Sequence, residues 1–541
     1  MNRRELLAAF LGAGAAQLAC RGSSRRPRLP DGELAFTPER IGHRIRDGVT
    51  AEPPPDAWED AGVVIVGGGV AGMSAGWRLA RAGMTDVVVL ELDDAAGGTA
   101  RSGRGKVGAY PWGAHYITAP MASNRALVAL LDEMGIVAGS DADGQPVIAE
   151  QYLCREPEER LYYRGWWYQG LYLAAGASPE DLRQRAAFDA EIARWVGWRD
   201  AAGRRAFALP TAAGTTDSEV TELDRMSVAA WMDARGFTSP RLRWYVDYAC
   251  RDDYGAPMTE ISAWAGLLYF AARVRRPTDD YQPVITWPEG NGRLVAQLAR
   301  PQRERVRTGW AVASLRPTDR GVDVVALTDG GRTARGLHAE RVILAAPQML
   351  RPYLVRDEHD PSRNGAREFR YTPWMVANLH ISQRLRYRGF EQAWDNVLYD
   401  SPALGYVVST HQRGLDYGPT ILTYYYPLLD ADEKAGRARM LQAGRDEWAE
   451  VALSDLERAH PELRRVTTRL DVARWGHAMV RPAPGFRTGA ARAAAARPHR
   501  GIHFAHTDLS GVALFEEAYY HGIRAAEEVL AARDRPVESM L

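Results

Sequence analysis

The stretch that decides the fold class runs from residue 63 to residue 102 and has the sequence VVIVGGGVAGMSAGWRLARAGMTDVVVLELDDAAGGTARS. Its apolar, β-branched beginning, residues 63–66, is typical of a buried parallel strand. A helical pattern follows, and then a second apolar run, residues 87–90, which ends at Glu91. This order of strand, helix and strand predicts a βαβ unit and therefore an α/β fold.

The turn after the first strand contains Gly67, Gly69 and Gly72 in G-x-G-x-x-G spacing. The first glycine permits a tight turn, the second lets the backbone approach a pyrophosphate, and the third lets the helix pack against the sheet. The N-terminus of the helix offers N–H groups to phosphates, and an acid about 20 residues further on, Glu91, suits ribose hydroxyls. The unit predicts a site for the ADP half of a dinucleotide and a cofactor-dependent oxidoreductase; the alternative is an ordinary turn of an α/β sheet.

A second glycine turn, Gly97-Gly98, is followed by Thr99-Ala100-Arg101-Ser102. Here the sequence resembles the flavin-containing amine oxidase, phytoene desaturase and protoporphyrinogen oxidase superfamily, which has a GG-R-x-R-[ST] type motif at this place. Arg101 and Ser102 match the motif, whereas Thr99 replaces its first arginine. The resemblance implies an FAD-dependent enzyme in which Gly98, Arg101 and Ser102 belong to the FAD site.

Further segments resemble the same superfamily in the same order along the chain. They are WGAH at 112–115, PEGNGRL at 288–294, WAV at 310–312, VILAAP at 342–347, GIHFAHTD at 501–508 and the helical EAYYHG at 517–522. The resemblance implies that Val312 touches adenine, that Asp508 lies near ribityl or pyrophosphate oxygens, and that Ala518 contributes to the FAD site. His506 stands where the superfamily usually has glycine.

The order of these motifs predicts a discontinuous, Rossmann-like FAD-binding domain with an inserted mixed α+β substrate domain. The FAD-binding domain takes residues 60–120, 284–352 and 473–533, and the substrate domain takes 121–282 and 353–472. A chain of 541 residues has room for two or three domains. Within the insertions, helices are expected near 187–198, 228–234 and 435–456, and strands near 374–381 and 420–426.

Three residues are candidates for the chemistry. His115 lies in the segment that the resemblance places beside the flavin, and histidine titrates near neutral pH. Trp475 and Tyr519 are expected to face the flavin ring. For each of the three, a structural role in the core is the alternative.

Amine oxidases of the superfamily usually hold a lysine near flavin N5, which is expected within residues 374–381. This stretch contains no lysine, and the two lysines of the chain are Lys106 and Lys434. The covalent-flavin cysteine of some relatives is also missing, because no cysteine follows Cys250. FAD is therefore expected to be non-covalent. Cys154 and Cys250 are expected either to pair or to remain free thiols.

These patterns predict an amine-oxidase-like enzyme that oxidises a C–N or C–C bond of a small molecule by hydride transfer to flavin N5. Dioxygen or a quinone would reoxidise the flavin. One alternative is a dehydrogenase of an apolar substrate, similar to the desaturases and protoporphyrinogen oxidases, which the missing lysine and Trp475 favour. Another is a flavin-binding scaffold without turnover.

The N-terminus suggests export. Arg3-Arg4 precede an apolar stretch, residues 6–19, so that residues 1–20 resemble a twin-arginine signal and predict a periplasmic or extracytoplasmic enzyme; an amphipathic helix is the alternative. The sequence before Cys20 resembles a lipoprotein cleavage site, which would make Cys20 a lipid anchor. Residues 21–59 are expected to form a linker or surface arm. A formal net charge of zero argues against a nucleic-acid partner, and the scattered histidines predict no metal site.

Overall fold

The computed structural model describes residues 29–36, 39–49, 51–279, 283–429 and 432–541. The expected export signal, residues 1–20, and Cys20 lie outside the described residues. In the part of the chain that is described, no helix combines the length and the apolar character needed to cross a bilayer.

The first layer of the molecule is a seven-stranded sheet with a parallel half and an antiparallel half. The strand Thr333–Leu344 joins the halves, because it pairs in parallel with Trp58–Val66 and Ile502–Phe504 and antiparallel with Gly321–Thr328. Along the sheet, the strands are Val306–Arg307, Val87–Leu90, Trp58–Val66, Thr333–Leu344, Gly321–Thr328 and Ala311–Thr318, with Ile502–Phe504 beside Thr333–Leu344.

The βαβ unit predicted from residues 63–102 is confirmed. Strand Trp58–Val66 and strand Val87–Leu90 pair in parallel, and the helix Val70–Arg81 connects them. The last helix, Phe515–Ala532, packs against Val70–Arg81, and at their crossing a Cβ on Gly522 would lie 2.3 Å from the Ala71 carbonyl oxygen. The two helices therefore approach closely only because glycine stands at position 522.

The second layer is an eight-stranded sheet. Its strands, in order, are Leu34–Ala35, Thr467–Val480, Tyr371–Ile381, Thr420–Pro427, Tyr406–Val408, Asp395–Leu398, Glu159–Tyr163 and Trp166–Gln169. Thr467–Val480 pairs with Tyr371–Ile381 over almost its whole length. The expected domain boundary at residue 473 thus falls within a strand of this sheet, and the chain leaves the sheet only after Val480.

Shorter strand pairs and the helices complete the fold. The pairs are Tyr116–Thr118 with Val284–Thr286, Ser102–Arg104 with Ala109–Pro111, and Val137–Ser140 with Pro146–Ile148. The remaining α-helices are Glu39–Arg46, Arg125–Glu133, Pro179–Gly197, Ser218–Thr221, Val228–Ala234, Pro240–Tyr254, Ala263–Ala271, Gly292–Ala299, Arg351–Leu354, Glu433–Gln442, Arg445–Leu456, Leu463–Val466 and Ala490–Ala495.

Capping explains two differences from the expected helices. The helix expected near 187–198 begins at Pro179, because Ser178 and Asp181 form a capping box in front of it. The helix expected near 435–456 is two helices, Glu433–Gln442 and Arg445–Leu456. Glu447 accepts a hydrogen bond from the Gly444 N–H at 2.7 Å and so starts the second one. Cys154 and Cys250 are both buried free thiols.

Candidate active site

A large cavity, of about 520 Å³, is lined by residues of both sheets. At one end, which we call the nucleotide end, it begins at Gly67 and Glu91, each of which follows a parallel strand. At the other, which we call the inner end, it reaches Trp374 and Tyr425 of the eight-stranded sheet. Ligands of open α/β sheets bind at the carboxyl ends of the strands, and the volume suits a ligand of cofactor size.

The glycine turn at the nucleotide end has the geometry that its spacing predicts. Gly67 has a φ of 105°, and a Cβ there would lie 2.6 Å from the Ala345 carbonyl oxygen. A Cβ on Gly72 would lie 1.9 Å from the Gly67 carbonyl oxygen, so this glycine sets the approach of helix to strand. Gly69 precedes the helix and lines the cavity, and its nearest neighbour would be the Gly98 Cα at 4.0 Å. A phosphate therefore has space beside Gly69 and the helix N-terminus.

Glu91 lies on the same wall. Its Oε2 accepts a hydrogen bond from the Gly68 N–H at 2.7 Å, and its Oε1 accepts one from the Asp93 N–H at 2.8 Å. Burial raises the pKa of this carboxyl group, although the two N–H donors oppose the shift. Each oxygen keeps acceptor capacity for a ribose hydroxyl. Val312 and Ala518 line the cavity as well, so the residues of the nucleotide end fit the ADP half of a flavin dinucleotide.

Arg101 and Ser102 do not line the cavity. Arg101 forms ion pairs with Asp93 at 2.9 Å and Asp94 at 2.6 Å, and so holds the loop that follows Glu91. The Ser102 side chain is exposed to solvent. The assignment of these two residues to the FAD site therefore stays a prediction: Arg101 supports the wall from behind, whereas Gly98 lines the cavity.

Asp508 does not line the cavity, whereas its neighbour His506 does. Asp508 accepts hydrogen bonds from the Gln348 N–H at 2.7 Å and from the Tyr371 hydroxyl at 2.5 Å, and His506 Nδ1 lies 2.9 Å from its other oxygen. Burial disfavours the carboxylate, but His506 and these donors hold the pKa of Asp508 below its usual value. His506 has a φ of −167°, an extended conformation that does not require glycine.

Aromatic rings surround His115 at the inner end. The ring of Tyr425 stacks on it with centroids 4.8 Å apart, and those of Tyr116 and Trp394 lie at 5.1 and 5.3 Å. Burial lowers the pKa of His115 to about 4, although a hydrogen bond with the Gly113 backbone opposes the shift. The imidazole is therefore neutral at neutral pH and lines the cavity as a hydrogen-bonding group.

Trp475 and Tyr519 differ in their placement. Trp475 lines the cavity, and its indole N–H donates to the Trp112 carbonyl oxygen at 2.7 Å. Tyr519 is only 1% exposed and donates to the Ala126 carbonyl oxygen at 3.0 Å, with its ring against Trp77. The expectation that Tyr519 faces the flavin is thus corrected: its side of the helix packs into the core, whereas Ala518 lies on the cavity side.

Four charged residues of the inner end form a cluster with a surplus of acid. They are Asp252, Asp253, Arg273 and Glu516. Arg273 pairs with Asp253 at 2.5 Å, whereas Asp252 and Glu516 form no ion pair within the described ranges. Burial raises the pKa of Glu516 to about 7, and burial together with neighbouring Asp253 raises that of Asp252. The adjacent pair of acids was visible in the sequence, but nothing local indicated that Glu516 joins them.

Asn291 places a hydrogen-bond acceptor in the cavity wall that receives no hydrogen bond from the described residues. It is 1% exposed, its Nδ2 donates to the Tyr116 carbonyl oxygen at 2.9 Å, and its Oδ1 has no hydrogen-bond partner among the described residues. Because an unpaired buried acceptor costs free energy, this atom is suited to receive a donor from a bound molecule.

The model of the family described as flavin containing amine oxidoreductase matches residues 70–530. The chain belongs to this family. It is accordingly a flavin-dependent oxidoreductase, with the Rossmann-like dinucleotide fold that the sequence predicted. The match begins after the strand Trp58–Val66 and continues through most strands of both sheets.

Solved structures of amine oxidases share the fold. Putrescine oxidase bound to putrescine superimposes with a TM-score of 0.61 at 16% identity, over 88% of this chain and all of that one. Cyclohexylamine oxidase from Brevibacterium oxydans gives 0.61 at 17%, with the same coverage. A fatty acid isomerase from P. acnes gives 0.61 at 14%, over 87% of this chain and 98% of that one.

Curated relatives match over a short stretch only. Mitochondrial dimethylglycine dehydrogenase of Rattus norvegicus is 45% identical over 56 residues, which are 10% of this chain and 6% of that protein. The enzyme of Mus musculus is 37% identical over 83 residues, 15% and 8% of the two chains. This chain thus spans less than a tenth of the length of these relatives.

Proposed function

We propose that this flavin oxidoreductase oxidises a C–N bond of a cationic amine. The observation that supports the proposal is the inner end of the cavity, where aromatic rings around His115 stand beside three carboxyl groups and one guanidinium. Aromatic faces and a surplus of acid attract an organic cation. An uncharged apolar substrate would leave Asp252 and Glu516 buried without a partner, which is costly.

The cofactor that we propose is FAD, bound without a covalent link. The glycine turn and Glu91 fit the adenosine half of a dinucleotide, which a mononucleotide lacks. Cys154 and Cys250 are buried and do not line the cavity, and burial raises the pKa of both thiols. When bound, the flavin supplies an acceptor for the hydride of a substrate C–H bond.

The side chains of the inner end bind the amine and manage one proton. An ammonium group that enters meets Asp252 and Glu516, and it must lose a proton before its C–H bond becomes a hydride donor. A carboxylate whose pKa is near 7 is suited to take this proton at neutral pH. Neutral His115 then has a ring nitrogen available to hold the uncharged amine beside Tyr425, which also lines the cavity.

A second candidate function is the dehydrogenation of an apolar substrate. It is favoured by the missing lysine, since the strand Tyr371–Ile381 has Ala377 and Asn378 where the lysine is expected. The Asn378 amide donates to the Pro111 carbonyl oxygen and accepts a hydrogen bond from the Thr423 hydroxyl. Lys106 and Lys434 are exposed. The amine is nevertheless the better substrate for this wall, because the apolar candidate gives no role to the buried acids.

Anaerobic mixing separates the candidates. The purified protein is mixed with amines, with alcohols of the same carbon skeletons, and with polyenes and tetrapyrroles, while the flavin absorbance is followed. We expect bleaching by an amine and not by its matched alcohol. Bleaching by a polyene or tetrapyrrole alone would support the second candidate, and absence of bleaching by every compound would support a scaffold.

The location and the electron acceptor are further proposals. We propose an extracytoplasmic enzyme, on the strength of Arg3-Arg4 and the apolar residues behind them, with dioxygen or a quinone as the acceptor. Fractionation of cells that express the natural chain or its Arg3→Lys/Arg4→Lys variant tests the location. Retention of the natural chain in the cytoplasm would contradict it.

A further inference from the structure

A segment ahead of the family match connects the two sheets. We call the described residues 29–36 and 39–49 the strap; the family match begins later, at residue 70. Its strand Leu34–Ala35 is the outermost strand of the eight-stranded sheet and pairs in parallel with Thr467–Val480. Its helix Glu39–Arg46 packs on the other sheet, where Ile45 is buried in one cluster with Val312 and Leu315.

The strand end of the strap is firmly attached. The Leu470 N–H donates to the Asp31 carbonyl oxygen at 2.8 Å, and the Val472 N–H donates to that of Glu33 at 2.9 Å. The Glu33 N–H donates to Asp471 Oδ1 at 3.0 Å. The two backbone bonds extend the sheet by one strand, and the bond to the Asp471 side chain adds to them.

Phe36 fixes the middle of the strap against the inner end of the cavity. Its ring lies 5.6 Å from that of Trp475, which lines the cavity, and 5.3 Å from that of Trp112. The Arg101 guanidinium lies 4.1 Å from the ring centroid on another side. Phe36 has a φ of 54°, which is unfavourable for a bulky residue, so these contacts hold the backbone in a strained conformation.

The helix of the strap forms part of the cavity wall at the nucleotide end. Gly42, Ile45 and Arg46 line the cavity together with Val312 and Tyr353. Arg46 Nε donates to Asp47 at 2.8 Å, and its terminal nitrogens have no hydrogen-bond partner among the described residues. The helix is also held at its outer side, where Arg44 donates to the Gly331 carbonyl oxygen at 3.1 Å.

We propose that the strap is part of the flavin site and retains the cofactor by covering its adenosine end. This inference rests on the proposed binding of FAD. Because the strap is tied to both sheets, a dinucleotide in the cavity leaves only after the helix Glu39–Arg46 moves away. Arg46 brings a guanidinium to the cavity wall, and a guanidinium attracts the phosphates of a dinucleotide. The strap therefore slows release of FAD by burial and by charge.

Release of FAD from the purified holoprotein tests the proposal without any substrate. The recovery of flavin fluorescence after dilution is compared for the natural chain, for Ile45→Ala/Arg46→Ala and for the matched control Arg40→Ala, which changes an exposed arginine of the same helix. We expect release about tenfold faster or more in the double variant, and within about twofold of the natural chain in the control. Thermal unfolding of the apo forms shows whether the fold is intact.

Three results would overturn the proposal. One is release at the natural rate from a folded double variant. Another is an equal acceleration in Arg40→Ala, which would show a general effect of the helix charge. A third is failure of the natural chain to hold FAD. If the double variant does not fold, Phe36→Leu serves instead, because it loosens the strap at the other sheet, and unchanged release would then reject the proposal. Lack of reaction with amines would leave these rates unchanged and would count against the proposed substrate alone.

Discussion

The substitution Glu91→Gln tests the nucleotide end most sharply. It keeps the shape of the side chain but removes its charge and one of its two acceptor atoms. Glu91 uses both oxygens to accept backbone N–H groups, at 2.7 and 2.8 Å, so the variant leaves one of these donors facing an amide NH₂. An unsatisfied buried donor costs about 1–3 kcal/mol of apoprotein stability. Loss of a charge-assisted hydrogen bond to a ribose hydroxyl costs about 1.5–3 kcal/mol of binding free energy.

This loss of binding free energy corresponds to an affinity for FAD that is about 10- to 150-fold weaker. Titration of the apoprotein with FAD, followed by quenching of flavin fluorescence, measures it directly. Glu340→Gln is the matched control, since Glu340 is 56% exposed and pairs with Arg533 on the surface; we expect its affinity to equal that of the natural chain. A folded Glu91→Gln protein that binds FAD as tightly as the control would refute the assignment of Glu91 to the ribose.

Three further predictions concern the inner end. His115→Ala is expected to keep FAD bound and to slow anaerobic flavin reduction by amine about 100-fold; a natural rate in stopped-flow mixing would remove His115 from the reaction. Asp252→Asn is expected to raise KM for amines about tenfold with an unchanged flavin spectrum, and an unchanged KM in steady-state assays would contradict the cation site. Burial raises the pKa of Glu516 from 4.5 to about 7, so the folded apoprotein binds more protons than the unfolded chain. Its contribution to stability is present below pH 4.5 and is lost, by about 3 kcal/mol, as the pH rises through 7. Urea unfolding of Glu516→Gln from pH 4.5 to 8 is expected to show a shallower fall, and identical profiles would show that this carboxyl group titrates normally.

Local patterns predicted several helices and strands well. The strand expected at residues 87–90 and the helix expected at 228–234 have those bounds in the structure. The reason is that hydrophobic runs, glycine turns and caps act over a few residues, and the residues around Gly67 determine their own conformation. The fold class followed from this unit and is confirmed.

The sequence did not reveal which face of a helix lines the cavity or where a strand of a sheet ends. Tyr519 and Ala518 are adjacent, yet one packs into the core and the other lines the cavity. Which side of the helix meets the cavity depends on the crossing with Val70–Arg81, a contact between distant parts of the chain. For the same reason the boundary expected at residue 473 falls inside Thr467–Val480, because strand pairing and not local composition decides where the sheet ends.

The inner end of the cavity was the hardest part to predict. Tyr425, Trp394 and Glu516 come from three distant segments, and none of them stands in a motif with a recognisable spacing. The acids Asp252 and Asp253 were visible as a pair, but whether a buried pair is neutralised depends on partners such as Arg273, which only the structure reveals. The sequence predicted the strap as a linker or surface arm, but it did not predict that Arg46 lines the cavity.

We propose that distant segments of this chain together bind one flavin dinucleotide. Heat release of the cofactor from the purified protein, followed by chromatography and mass measurement, tests it most directly. We expect a yellow protein that releases one FAD per chain and leaves the polypeptide at its unmodified mass. A colourless protein that takes up no FAD, or a flavin that stays on the denatured polypeptide, would contradict it.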